Sequence, residues 1–360
     1  MTNPFACSVT PNWQALVDTI LRKSTPSRVH FMELYLDKEV ADAIGDRFGL
    51  FDGLSPEDPA YVGKRDIAIQ SFLGYDYVTC GLEGVDYPLN WHAADDTAEL
   101  GRESGRLYMD EHKGPITNWE EFEAYPWPDP NKATSHRLEW YEANLPENMC
   151  VIGRDGFGSH AEHLSWLMGY ETLCMALFEQ RDLVEAIRDR LSEIDRVVVK
   201  RILEFGRVKV MWGSDDMGFK GGTMLSPADM REFVLGAHKE AAALSHAAGR
   251  PYILHSCGNL ALIMDDLIDD VKIDGKHSYE DTIEQVTDVK ETYGQRIALL
   301  GGIDMDFMCR ATDDQVRARV RKTLDKCMPG GGYCLGTGNT VANYVPLENY
   351  LAMLDEGRRY

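Results

Sequence analysis

Short apolar segments that end in polar or small residues recur along the chain, and a stretch of helical periodicity follows each one, an alternation that predicts repeated strand–helix units. Eight segments read this way: residues 28–33, 75–80, 150–155, 208–215, 252–257, 273–278, 297–303 and 332–338. Before the fourth, Leu183, Ile187, Leu191, Ile194 and Val198 recur at helical spacing and predict a long amphipathic helix. The last helix is expected to begin at Pro346 and Leu347, where proline is pre-set for a first turn. A further helix is expected around residues 13–23, inside an N-terminal extension of residues 1–27.

Eight such units favour an α/β fold with a single (β/α)8 TIM barrel spanning residues 1–360 over an open doubly wound sheet. Glu33, Cys80, Asp155, Asp215, His255, His277, Asp304 and Asn339 all fall at or just after the carboxyl end of an expected strand, the rim where barrel enzymes build their sites. Residues 84–148 do not fit a normal strand–helix connection, being too long and rich in Pro, Trp, Asp and Glu, and they are expected to form an insertion after the second strand, over the barrel mouth.

Composition removes several function classes. With 37 basic against 59 acidic residues the formal net charge is −22, a field that repels phosphate backbones and anionic bilayers, so neither nucleic acid nor membrane is an expected partner. Eight irregularly spaced cysteines, with no basic or apolar leader at the start, read as reduced thiols of a cytoplasmic protein.

His255 and Cys257 are two apart at a strand end, so their side chains project to one side and could share an ion; imidazole and thiolate together are a zinc-type ligand set. Gly258-Asn259 then turns the chain and places the pair at a mouth.

Residues 255–259, residues 214–218 with Leu225-Ser226-Pro227, and residues 346–349 together resemble landmarks of the uroporphyrinogen decarboxylase superfamily over residues 150–360. The H-x-C pair is similar to that of its zinc-dependent methyltransferase branch. That resemblance implies zinc, a methyl group moving between a small-molecule donor or thiol acceptor and a corrinoid carried on a separate protein, and a homodimer. The decarboxylases themselves present arginine to a polycarboxylate in the N-terminal segment, whereas here the same region carries Glu33, Asp37 and Glu39, and Asn339 stands where they hold a histidine.

The branch adds a second, distant cysteine to the metal. Cys334 is the one cysteine near the last strand, and His277 or a carboxylate of Glu33, Asp216 or Glu280 are alternatives. Asp216 and Glu33 are the catalytic candidates, and His277, Asn339, Asp215 and Tyr35 the substrate-binding candidates. The competing readings are a metal-independent decarboxylase or lyase using Asp215 or Asp216 with His255, for which Arg154 and Lys220 would be the cations, and a non-catalytic small-molecule binder.

Overall fold

The structure is a computed structural model that describes residues 4–102, 105–154 and 156–360; Asp155, expected at the end of a strand, lies outside the described residues. Seven strands form one parallel sheet in chain order: β1 (Tyr77–Cys80), β2 (Cys150–Gly153), β3 (Val208–Ser214), β4 (Tyr252–His255), β5 (Gly275–His277), β6 (Ala298–Leu300) and β7 (Tyr333–Cys334). Nearly every residue in them is buried, as expected when helices cover a parallel sheet.

The expected first strand differs. Phe31 makes an isolated parallel bridge to Leu335, with the Met32 N–H donating to the Leu335 carbonyl and the Leu335 N–H to the His30 carbonyl, each at 2.8 Å. Towards β1 side chains make the junction: the Tyr77 hydroxyl accepts the Glu33 N–H at 3.0 Å and donates to the Glu33 carbonyl at 3.2 Å, and Asp76 meets His30 Nδ1 at 2.7 Å and the Arg28 guanidinium. A phenol thus satisfies the backbone groups that a ladder would otherwise pair. The seven strands curl into a TIM-like sheet, with residues 31–33 lying between its β7 and β1 edges.

The strands are shorter than their apolar segments because the chain turns early at the carboxyl ends. Gly258 (φ 84°), Gly301 (φ 79°), Gly302 (φ 105°) and the non-glycine Ser278 (φ 88°) all adopt left-handed backbone there. Outside the sheet, helix Arg181–Leu203 buries Leu183, Ile187, Leu191, Ile194 and Val198, and helix Leu347–Arg359 starts directly after Pro346. The N-terminal helix is Trp13–Ile20, ending earlier than its pattern suggests, and it packs on β3, β6 and β7 with the Lys209 ammonium 4.7 Å from the Trp13 ring centroid.

Residues 84–148 contain an exposed antiparallel hairpin, Trp91–Ala94 with Arg106–Met109, and two helices, Trp119–Ala124 and His136–Asn144. Asn343, in the loop beyond β7, ties this region down: its amide nitrogen donates to Asp96 at 2.6 Å and to the Leu100 carbonyl at 2.9 Å, and its oxygen accepts from Arg106. Among the described residues no helix is long and apolar enough to cross a membrane.

Candidate metal and active site

Parallel register places His255 beside His277 across β4 and β5, so the two imidazoles share a face and their Nδ1 atoms lie 2.8 Å apart. The loop after β3 lies against the loop after β4. The Met217 N–H donates to Ser256 Oγ at 3.2 Å and the Asn259 N–H to the Phe219 carbonyl at 2.8 Å. Gly258 permits this approach, because a Cβ there would sit 2.1 Å from the Gly218 carbonyl carbon.

Asp216 is carried in by the same contact. Its Oδ1 accepts the Cys257 N–H at 3.1 Å and lies 3.5 Å from His255 Nε2, and Cys257 Sγ is also 3.5 Å from that nitrogen. The three side chains each offer a ligand atom, all within 4.8 Å of one another, the one such His/Cys/Asp/Glu group among the described residues. Tetrahedral zinc with ordinary bond lengths separates nitrogen from sulfur by about 3.6 Å and nitrogen from oxygen by about 3.4 Å, so this set fits zinc with little adjustment.

Burial lowers the pKa of His255 against the pull of Asp216, and lowers that of His277 well below the usual histidine value. Burial also tends to raise the Asp216 carboxyl, but hydrogen bonding and charge from His255 outweigh it and hold the group below its ordinary value. Without a cation the Cys257 thiol is pushed up to about 12 by burial and by Asp216. Asn339 Nδ2 donates to that sulfur at 3.1 Å, and Ser278 Oγ approaches it at 3.7 Å. Lys276, buried and lowered to about 8 by desolvation, donates to the Ser278 carbonyl at 2.8 Å and reaches the Ser256 carbonyl at 3.4 Å, bracing the two strand ends.

The remaining expected residues are dispersed. Cys334 is wholly buried in β7 and does not join the group of three; the charges acting on its thiol are those of Asp76 and Arg28. Asp215, expected to meet substrate, is fully buried with both oxygens occupied by the N–H groups of Ala161 and Glu162, each at 2.9 Å, where it anchors the start of helix His160–Met168. Glu33 is buried against Thr337, raised to about 8 chiefly by desolvation. Tyr35 is half exposed, with the Arg154 guanidinium 5.2 Å from its ring centroid. Glu280 lines a cavity of about 230 Å³ together with residues 258–261, Lys276 and Ser278.

Glu162 was not anticipated. Asp215 fixes it in the first turn of its helix, and burial, followed by the charges of Asp215 and Asp216, raises its carboxyl to about 9. Its position after β2 was the available signal, because barrel chemistry collects in the loops and first turns beyond the strands.

Fold and site together define a TIM-like barrel with a nitrogen–sulfur–oxygen ligand set at the carboxyl ends of adjacent strands. The chain belongs to the uroporphyrinogen decarboxylase (URO-D) family, whose profile matches residues 110–360. A solved methyltransferase from Methanosarcina mazei is similar in fold, with a TM-score of 0.67 and 18% identity over 96% of this chain and 97% of that one. A candidate vitamin-B12-independent methionine synthase from Listeria monocytogenes gives a TM-score of 0.48 and 12% identity over 92% and 95% of the two chains. No curated protein matches the sequence.

Proposed function

We propose that the chain is a zinc-dependent methyltransferase that moves a methyl group between a small-molecule donor or thiol acceptor and a corrinoid borne on a separate protein. The observation that carries this reading is the convergence of His255 Nε2, Cys257 Sγ and an Asp216 oxygen on one point. Three protein ligands with a fourth position left open are the pattern of catalytic zinc. When bound there, zinc supplies Lewis acidity, holding a coordinated thiol as thiolate or polarising the heteroatom that carries the methyl group.

The chain's own residues prepare that position. With a metal at His255 Nε2 the ring's proton would sit on Nδ1 and be donated as a hydrogen bond to Nδ1 of neutral His277, leaving the Nε2 lone pair directed towards Cys257 and Asp216. The Asn339 amide fixes the Cys257 sulfur from the far side, and Lys276 holds the carbonyls of Ser256 and Ser278 on either flank. Loading a metal would release the Cys257 proton, so affinity should rise with pH. The fold likeness to the Methanosarcina methyltransferase supports the reading, and the corrinoid partner rests on the resemblance of the H-x-C pair to the methyltransferase branch.

Metal analysis tests it. Protein purified without chelators should carry about one zinc per chain, lost in Cys257→Ser and His255→Ala, weakened in Asp216→Asn and kept in Cys334→Ser. Zinc-free protein with undiminished methyl transfer would end the proposal. One observation favours a second reading, a metal-independent carboxy-lyase: Glu162 is a neutral acid beside Asp216, suited to protonating a carbanion. In that case Glu162→Gln abolishes turnover while Cys257→Ser leaves it intact.

A further inference from the structure

Glu33 lies at the junction between the ends of the sheet, and its carboxyl meets Thr337 twice: Oε1 accepts the Thr337 N–H at 2.8 Å, and Oε2 contacts the Thr337 hydroxyl. That hydroxyl also lies 2.8 Å from the Asn339 carbonyl oxygen. A threonine hydroxyl has a single hydrogen, and a peptide carbonyl has none to give. If Thr337 donates to Asn339, the hydrogen between Thr337 and Glu33 must come from Glu33.

We infer that Glu33 is a neutral carboxylic acid whose proton directs the Thr337 hydroxyl onto Asn339, making it a positioning residue for the amide that holds Cys257. The chain runs from Glu33 O–H to Thr337 Oγ1, from Thr337 O–H to the Asn339 carbonyl, and from the Asn339 Nδ2–H to Cys257 Sγ at 3.1 Å. The amide is fixed at its other atom too, since Asn339 Oδ1 accepts the Thr340 N–H at 2.8 Å. Both backbone and side chain of Asn339 are therefore set before any ligand arrives.

The surroundings agree. Glu33 is 2% exposed, and among the described residues it forms no ion pair. The polar groups near it are the buried hydroxyls of Tyr75, Tyr77 and Tyr350, two of which are bonded to each other at 2.7 Å. Burying an unpaired carboxylate in such a place is costly, and desolvation raises the group to about 8. Gly336 permits the approach, because a Cβ there would lie 1.8 Å from the Met32 carbonyl oxygen and 3.1 Å from Glu33 Oε1. This device rests on the metal reading only for what Cys257 holds, and neither readout below requires a metal.

The test uses the full chain with Glu33→Gln, which keeps a donor and an acceptor in place, and Glu33→Leu, which keeps neither. At neutral pH the infrared difference between wild type and Glu33→Gln should contain a protonated-acid C=O stretch. A pair of carboxylate stretches in its place would overturn the inference. The rate of alkylation of Cys257 by iodoacetamide, read from its own peptide, should be the same in Glu33→Gln as in wild type and differ by about threefold or more in Glu33→Leu, the worth of one neutral hydrogen bond. Equal rates in wild type and a folded Glu33→Leu would remove the positioning role, and so would a Glu33→Gln rate that matches Glu33→Leu. Failure of the metal reading would show separately, as zinc-free protein with the acid band still present.

Discussion

His277 presents its Nδ1 to His255 at 2.8 Å, and on the proposed zinc reading its contribution is to fix the tautomer of that neighbour. Replacing it by phenylalanine removes the acceptor while keeping a ring. Metal affinity should fall about 10- to 100-fold, measured by competition with a chromophoric chelator, whereas His277→Gln should recover part of the loss. Glu33 makes a prediction about pH. Its folded value of about 8 lies above the ordinary carboxyl value of 4.5, so between those limits the native state binds more protons than the unfolded one. The stabilisation is complete below the ordinary value and disappears as pH rises through about 8. Urea midpoints of the wild type should decline across that window by an amount worth a few kcal/mol, and Glu33→Gln should flatten the slope. A wild-type midpoint indifferent to pH would contradict this.

Elements explain which parts of the site were legible in the sequence. His255 and Cys257 could be read because two residues at a strand end lie on one side, a local relation. The choice of Asp216 over the other carboxylates depends on loops 216–219 and 256–259 touching, about forty residues apart in the chain, which no periodicity reports. Cys334 sits in a two-residue strand whose alternation gives too little pattern to say which way its thiol faces. Glu162 is positioned by Asp215 from another strand end, again a long-range relation. The expected first strand, residues 28–33, is represented by an isolated bridge at Phe31, since an apolar run does not reveal whether a neighbour supplies a ladder or side chains. The loop contact itself is testable. Gly258→Ala places a side chain in left-handed backbone and against Gly218, which should cost about 1–3 kcal/mol and reduce metal binding together, read by thermal unfolding and zinc content. Unchanged melting and full zinc in that variant would show that the two loops do not depend on each other.

Across the whole molecule, Asn343 joins the excursion of residues 84–148 to the loop beyond β7, next to the Arg106 guanidinium over the Tyr344 ring. Asn343 meets Asp96, Leu100 and Arg106, so Asn343→Leu should free the hairpin Trp91–Ala94 with Arg106–Met109. Limited proteolysis should then cut near residues 95–110 faster than in wild type, with the strands still protected. The other joint of this kind is the Tyr77 hydroxyl between Glu33 and β1. Among the described residues the other neighbouring strands of the sheet are joined by main chain. The seam at β1 is fastened by side chains, the Tyr77 ring at Glu33 and Asp76 at His30 and Arg28, so a substitution at either the tyrosine or the aspartate would loosen the wall there without re-registering any strand.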